Sequence, residues 1–98
     1  MEIIKNTNGE ELTLNVVGRL DTTTAPELEN ELKASLDSVK ALVLDLVDLD
    51  YISSAGLRVL LSAQKIMNAQ GTMVIKNAKP EIMEVFEITG FTDILTIE

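Results

Sequence analysis

Asp45-Leu46-Val47-Asp48-Leu49-Asp50-Tyr51-Ile52-Ser53-Ser54-Ala55-Gly56-Leu57-Arg58-Val59-Leu60-Leu61 contains the passage from a buried strand to a helix, with two hydroxyls at the junction. Just upstream, Ala41-Leu42-Val43-Leu44-Asp45-Leu46 is nearly all apolar and too short for a helix of its own. That pattern suits a central strand, covered on both sides or parallel. Downstream, Gly56, Val59, Leu60, Ala63, Ile66 and Met67 recur at helical spacing opposite Arg58, Ser62 and Lys65, which predicts an amphipathic helix entered at the serine pair.

A helix N-terminus carries unpaired N–H groups and positive dipole character, so a serine there can cap the helix or hold a phosphate. Ser54, just before Ala55-Gly56, stands where an N-cap belongs, and capping is the commoner job of such a residue. A phosphoryl group fits the same place, since it adds about −1.5 to −2 charges that the helix start accommodates. Ser53 reads as a solvated loop hydroxyl turned away from Ile52. Leu57 and Leu61 flank the core stripe of the helix. They either widen its buried face or form an exposed apolar strip beside Ser54 that would anchor a partner.

Outward from this stretch, strand and helix alternate. Ile3-Ile4 and Leu12-Thr13-Leu14-Asn15-Val16-Val17 flank Asn8-Gly9, which predicts an antiparallel hairpin with Leu12, Leu14 and Val16 toward the core. Thr24-Ala25-Pro26-Glu27 has the form of a capping box, followed by Leu28, Leu32 and Leu36 at i+4 spacing. After Gly71 comes a strand, Thr72-Met73-Val74-Ile75-Lys76. A third helix opens at Pro80, runs through Ile82, Val85 and Phe86 and stops at Gly90, and Ile94-Leu95-Thr96-Ile97 reads as a closing strand. The expected architecture is one α/β domain over residues 1–98. It has a mixed, mostly parallel sheet of four to five strands, an N-terminal antiparallel hairpin and about three helices.

Composition removes whole classes of function. With 16 acidic against 8 basic side chains and a net charge of −8, the chain repels nucleic-acid backbones and anionic membranes, so a protein partner is expected. Aromatic residues are only 3%, too few for a base-stacking platform, and the core must be aliphatic. The absence of His and Cys excludes histidine bases, thiolates and the common zinc sets. No signal segment or membrane-length apolar run occurs, so the expected location is the cytoplasm.

Neither serine lies in Gly-x-Ser-x-Gly, no base or activating amine is nearby, and no Gly-rich phosphate loop is present, so no enzyme and no cofactor is expected. Asp45, Asp48 and Asp50 could suggest Mg²⁺, but acids leaving a strand are most often solvated, and no metal is expected. Asp21 follows Gly18-Arg19-Leu20 at another strand end. If the sheet is parallel there, Asp21 and Ser54 emerge at one edge; alternatively Asp21 organises the loop before Thr24.

Gly18-Arg19-Leu20-Asp21, Leu44-Asp45-Leu46, Tyr51-Ile52-Ser53-Ser54-Ala55-Gly56-Leu57 and Thr89-Gly90-Phe91 with Ile94-Leu95 occur in the order and spacing of a known family. Together they span almost the whole chain, which resembles the STAS domain family, in particular the stand-alone anti-sigma factor antagonists of bacteria. The resemblance implies a STAS-like fold and a serine, here Ser54, phosphorylated by an anti-sigma factor that is itself a serine kinase. By the same resemblance, the unphosphorylated form binds that factor, phosphorylation releases it, and a metal-dependent Ser/Thr phosphatase resets the switch. Asp21, Ser53, Gly56, Leu57, Arg58 and Leu61 are the candidate partner-binding residues. The alternative is a STAS interaction subunit of another assembly, such as a lipid-transport complex or signalling scaffold, that is not phosphorylated. The chain departs from the family pattern in carrying Ser53 where an Asp precedes the phosphorylated serine and Ala55 where Ser or Thr is common. It also ends straight after the last predicted strand, without the C-terminal helix of many relatives.

Overall fold

Hydrophobic alternation along Glu11–Leu20 dictates the centre of the molecule, because Leu12, Leu14, Val16 and Leu20 fall on one side and are buried. The structure, a computed structural model, describes residues Met1–Glu98. Its elements run β1 (Glu2–Asn8), β2 (Glu11–Leu20), α1 (Ala25–Ser35), β3 (Ala41–Asp45), β4 (Leu49–Ile52), α2 (Ser54–Gln70), β5 (Thr72–Lys76) and α3 (Pro80–Thr89), followed by a 3₁₀ turn, Phe91–Asp93.

The sheet order is β1-β2-β3-β5, with β4 also paired to β2. β1 and β2 form the expected antiparallel hairpin, and every other strand pairing is parallel. The hairpin turn falls one residue later than the Asn8-Gly9 pair suggested: Asn8 pairs with Glu11, and Gly9 takes φ +63° at the first central position. β3 and β4 act as one interrupted strand, meeting β2 first along Glu11–Asn15 and then along Gly18–Leu20. A shift in register between Gly18 and Arg19, with Gly18 at φ +100°, accommodates the interruption.

The buried faces of all three helices join those of the strands in one cluster that includes Leu28, Leu32, Leu44, Leu60, Met67 and Phe86. β3 is central and parallel, as its composition implied, but its alternation leaves Ala41, Val43 and Asp45 only half-buried on the other face. Two other expectations need correction. Ile66 is 38% exposed, because the buried arc of α2 is rotated toward Leu57 and Gln64 and leaves Ile66 at its edge. The closing strand shrinks to a single bridge between Ile75 and Ile97, since the amides of Ile94 (3.0 Å) and Leu95 (2.8 Å) are drawn back to the Phe91 carbonyl of the 3₁₀ turn that Gly90 (φ +80°) opens.

At the far end of α2, the Gln70 side-chain amide donates to the carbonyls of Leu36 (2.7 Å) and Val39 (2.8 Å), tying that end to the segment after α1. Gly71 is required by space rather than by its backbone angle. A Cβ there would lie 1.9 Å from the carbonyl oxygen of Lys40.

Candidate functional site

β2 and β4 end side by side, with Leu20 paired to Ile52 in parallel, and the Ser53 amide donates to the Leu20 carbonyl at 2.9 Å. Asp21 and the serine pair therefore leave the sheet at one edge, the shared edge that a parallel pairing implied.

The two hydroxyls have different environments. Ser53, not Ser54, is the N-cap of α2: its backbone is extended (φ −97°, ψ 176°) and its Oγ accepts the amide of Gly56 at 3.3 Å. The solvated-loop reading of Ser53 and the capping reading of Ser54 are both corrected by this bond. The helix begins one residue earlier than the core stripe suggested, because Ser53 already occupies the extended cap conformation. Ser54 is the first helical residue and is exposed. Its hydroxyl lies on a first turn that holds no acidic side chain.

The capping box expected at Thr24-Ala25-Pro26-Glu27 does not form. Thr24 has helical angles and makes no side-chain cap. Its hydroxyl instead accepts the Asp21 amide (2.9 Å) and donates to the Arg19 carbonyl (2.8 Å). The Asp21 carboxylate accepts the amides of Thr23 (3.0 Å) and Thr24 (3.1 Å), so Asp21 organises this loop. The Thr24 amide, with help from Thr23, the Thr24 hydroxyl and the Arg19 charge, holds the Asp21 carboxyl below the ordinary carboxylate value against partial desolvation.

Among the remaining candidates, Gly56 and Leu57 face inward. A Cβ on Gly56 would lie 2.8 Å from Leu20 Cγ and 2.9 Å from Ile52 Cγ1, so the glycine lets α2 approach the ends of β2 and β4. Leu57 is 6% exposed and belongs to the widened core stripe, so the exposed-strip alternative does not hold for it. Leu61 is half-buried and Arg58 is exposed. The acidic cluster is dispersed: Asp45 accepts from the Val47 amide and the Asn77 side chain (both 3.1 Å), and Asp50 pairs with Lys79. That bond to Asp50 raises the Lys79 ammonium above its ordinary value. No helix is long and apolar enough to cross a membrane.

The STAS domain profile matches residues 2–98. The chain belongs to the STAS domain family. A Bordetella bronchiseptica protein named as an anti-sigma factor antagonist, BtrV, is 48% identical over 82 residues, 82% of this chain and 71% of that one. The crystal structure of an anti-sigma factor antagonist from Mycobacterium paratuberculosis superposes with a TM-score of 0.88 at 24% identity, covering 98% of this chain and 83% of that one. The Bacillus antagonist SpoIIAA shares the fold in its unphosphorylated form (TM-score 0.78, 15% identity) and in its phosphorylated form (0.77, 16%). Both comparisons cover 99% of this chain, with 87% of the first structure and 91% of the second.

Within this STAS domain, some residues near the site escaped the sequence reading. Arg19 lies over the ring of Tyr51, 4.2 Å from its centroid, and approaches Asp21 at 3.7 Å. The two are direct cross-strand partners, a pairing fixed by the register shift at Gly18/Arg19. Thr22 and Pro26 line a pocket of about 200 Å³ with Ala55 and Arg58, where the start of α1 faces the start of α2. Composition gives no cue to it, since it arises from how the two helices pack.

Proposed function

We propose that this STAS domain is a cytoplasmic anti-sigma factor antagonist that works by partner switching. Unphosphorylated, it binds an anti-sigma factor with serine kinase activity and frees the sigma factor for transcription. Phosphate on Ser54 dissolves that complex, and a metal-dependent Ser/Thr phosphatase restores it. The chain is a substrate and a ligand here, not a catalyst.

The observation that carries this reading is the division of labour between the serines. Ser53 satisfies the helix start, so the exposed Ser54 hydroxyl is not committed to the fold and can be modified at little structural cost. The departure at Ser53 from the family's Asp also fits, because Asp and Ser are comparable N-caps. A solved structure of SpoIIAA in a phosphorylated form, with this fold, supports the reading.

The test is incubation with ATP and each purified kinase-type regulator of the source organism, followed by intact mass and site mapping. One added phosphate, on Ser54, is expected. No phosphate there from any of them overturns the reading in favour of an unphosphorylated STAS subunit of another assembly.

A further inference from the structure

The chain carries a net charge of −8, yet α2 contains Arg58 and Lys65 and no acidic residue. Both cations are exposed, and neither takes part in any of the ion pairs of the molecule. They lie seven residues apart, which puts them on one side of the helix about two turns from each other.

Arg58 lines one end of a trough, and Lys65 directly precedes Ile66 of its lining. The pocket between the starts of α1 and α2 is lined by Ala25, Ala55, Arg58 and Val59. A second, of about 140 Å³, shares Glu29 and Val59 with it and is lined further along by Leu32, Ala63 and Ile66. A third shares Leu32, Lys33 and Ile66 with the second and reaches Gln70, where Asp37 stands at the end. The depressions thus follow the α1–α2 seam from Ala55 to Gln70, roughly 22 Å at the helical rise, enough for about four turns of a docked helix. The acid in its middle, Glu29, is neutralised by Lys33 at 3.2 Å. Apolar floor and free positive charge on the α2 rim therefore coincide.

We propose that this trough receives an acidic amphipathic helix of the partner protein. Its apolar face rests on Pro26, Ala55 and Ile66, the more accessible apolar residues of the lining, and its carboxylates meet Arg58 and Lys65. The inference rests on the reading of Ser54 as phosphate acceptor and gives it a mechanism. Ser54 and Arg58 are related i to i+4, so their Cβ atoms are about 5–6 Å apart on the helix surface. A phosphate of about −1.5 to −2 charges at Ser54 engages the Arg58 guanidinium and makes the mouth of the trough negative, repelling the partner's acids.

The test uses the purified anti-sigma kinase that phosphorylates Ser54, held in its ADP state, with binding measured by calorimetry. Arg58→Glu and Ile66→Asp are each expected to weaken the complex at least tenfold. Lys40→Glu, an exposed and unpaired cation off the trough, is expected to leave it unchanged. Arg58→Gln, a milder change at an exposed position, is expected to lose several-fold, and thermal melts establish that each variant is folded. Wild-type binding by folded Arg58→Glu and Ile66→Asp, with Ser54 still phosphorylated, overturns the trough and leaves the phosphoacceptor reading standing. A chain that neither accepts phosphate nor binds any such kinase overturns both.

Discussion

The hydroxyl of Ser53 accepts the amide of Gly56 at 3.3 Å, which leaves the neighbouring hydroxyl of Ser54 without a structural duty. Removing the cap should cost what N-caps usually cost. Ser53→Ala is expected to lose about 1 kcal/mol, or about 4–8 °C in Tm for a domain of this size, whereas Ser53→Asp keeps the cap and the stability. Ser54→Ala is expected to be nearly neutral. Ser54→Asp places a negative charge in a first turn that has none and is expected to gain a few tenths of a kcal/mol or change nothing. Thermal melts of the four variants check this, and unfolding of Ser54→Asp would show that Ser54 is structural.

Asp21 gives the acid limb of stability a specific origin. Its carboxyl is held below its unfolded value of about 3.9 by the Thr24 and Thr23 amides, so the deprotonated form favours folding. The contribution is present above the unfolded pKa and is lost as pH falls through the lower folded value. A carboxyl-carbon NMR titration should place the midpoint of Asp21 below about 3.9. The Tm difference between wild type and Asp21→Asn should shrink as the pH is taken from neutral toward that midpoint. A midpoint at or above the unfolded value would contradict the hydrogen-bond geometry.

Gly56 and Gly71 make opposite-strength predictions for the same substitution. At Gly56 an added methyl meets the side chains of Leu20 and Ile52 at 2.8 and 2.9 Å, and these can yield slightly. Overpacking of about 1–3 kcal/mol is partly offset by the roughly 1 kcal/mol that alanine gains in a helix, so Gly56→Ala should lose about 1 kcal/mol. At Gly71 the obstacle is the Lys40 carbonyl at 1.9 Å, backbone that also accepts the Thr72 amide, so Gly71→Ala should lose about 3 kcal/mol or more. Urea unfolding ranks them, and equal losses would mean that the Lys40 segment moves freely.

Arg19 and Tyr51 are exposed enough that their contact should be modest. A double-mutant cycle with Arg19→Gln and Tyr51→Leu is expected to give a coupling of about 0.5–1 kcal/mol. A coupling of zero would mean that the stacked arrangement is not populated in solution.

What could be read from the residues alone follows the range of the interactions involved. The alternation of Leu12, Leu14 and Val16 and the apolar run Ala41–Leu46 each report a local period set by core burial, and these elements appear where expected. The caps did not follow so simply. Thr24 and Ser54 both match cap patterns, but the Thr24 hydroxyl is taken by the Asp21 amide and the Arg19 carbonyl, and Ser53 holds the Gly56 amide because one residue of offset decides which serine reaches it. The pairing of Arg19 with Tyr51 depends on a register shift at Gly18, and the α1–α2 trough depends on two helices meeting, so neither has a local signature. The shared edge of Asp21 and the serines was legible because parallel strands align their ends.

The first turn of α2 rests through Gly56 directly on Leu20 and Ile52, which are 0% and 4% exposed. At Gly56 no space remains beneath it for the helix start to settle toward the sheet. On the proposed reading, a phosphate on the exposed Ser54 therefore stays at the surface as altered charge instead of becoming a rearrangement of the interior. An exposed rim residue such as Arg58 is, on the same reading, free to change with each new partner while the packing at Gly56 stays as it is.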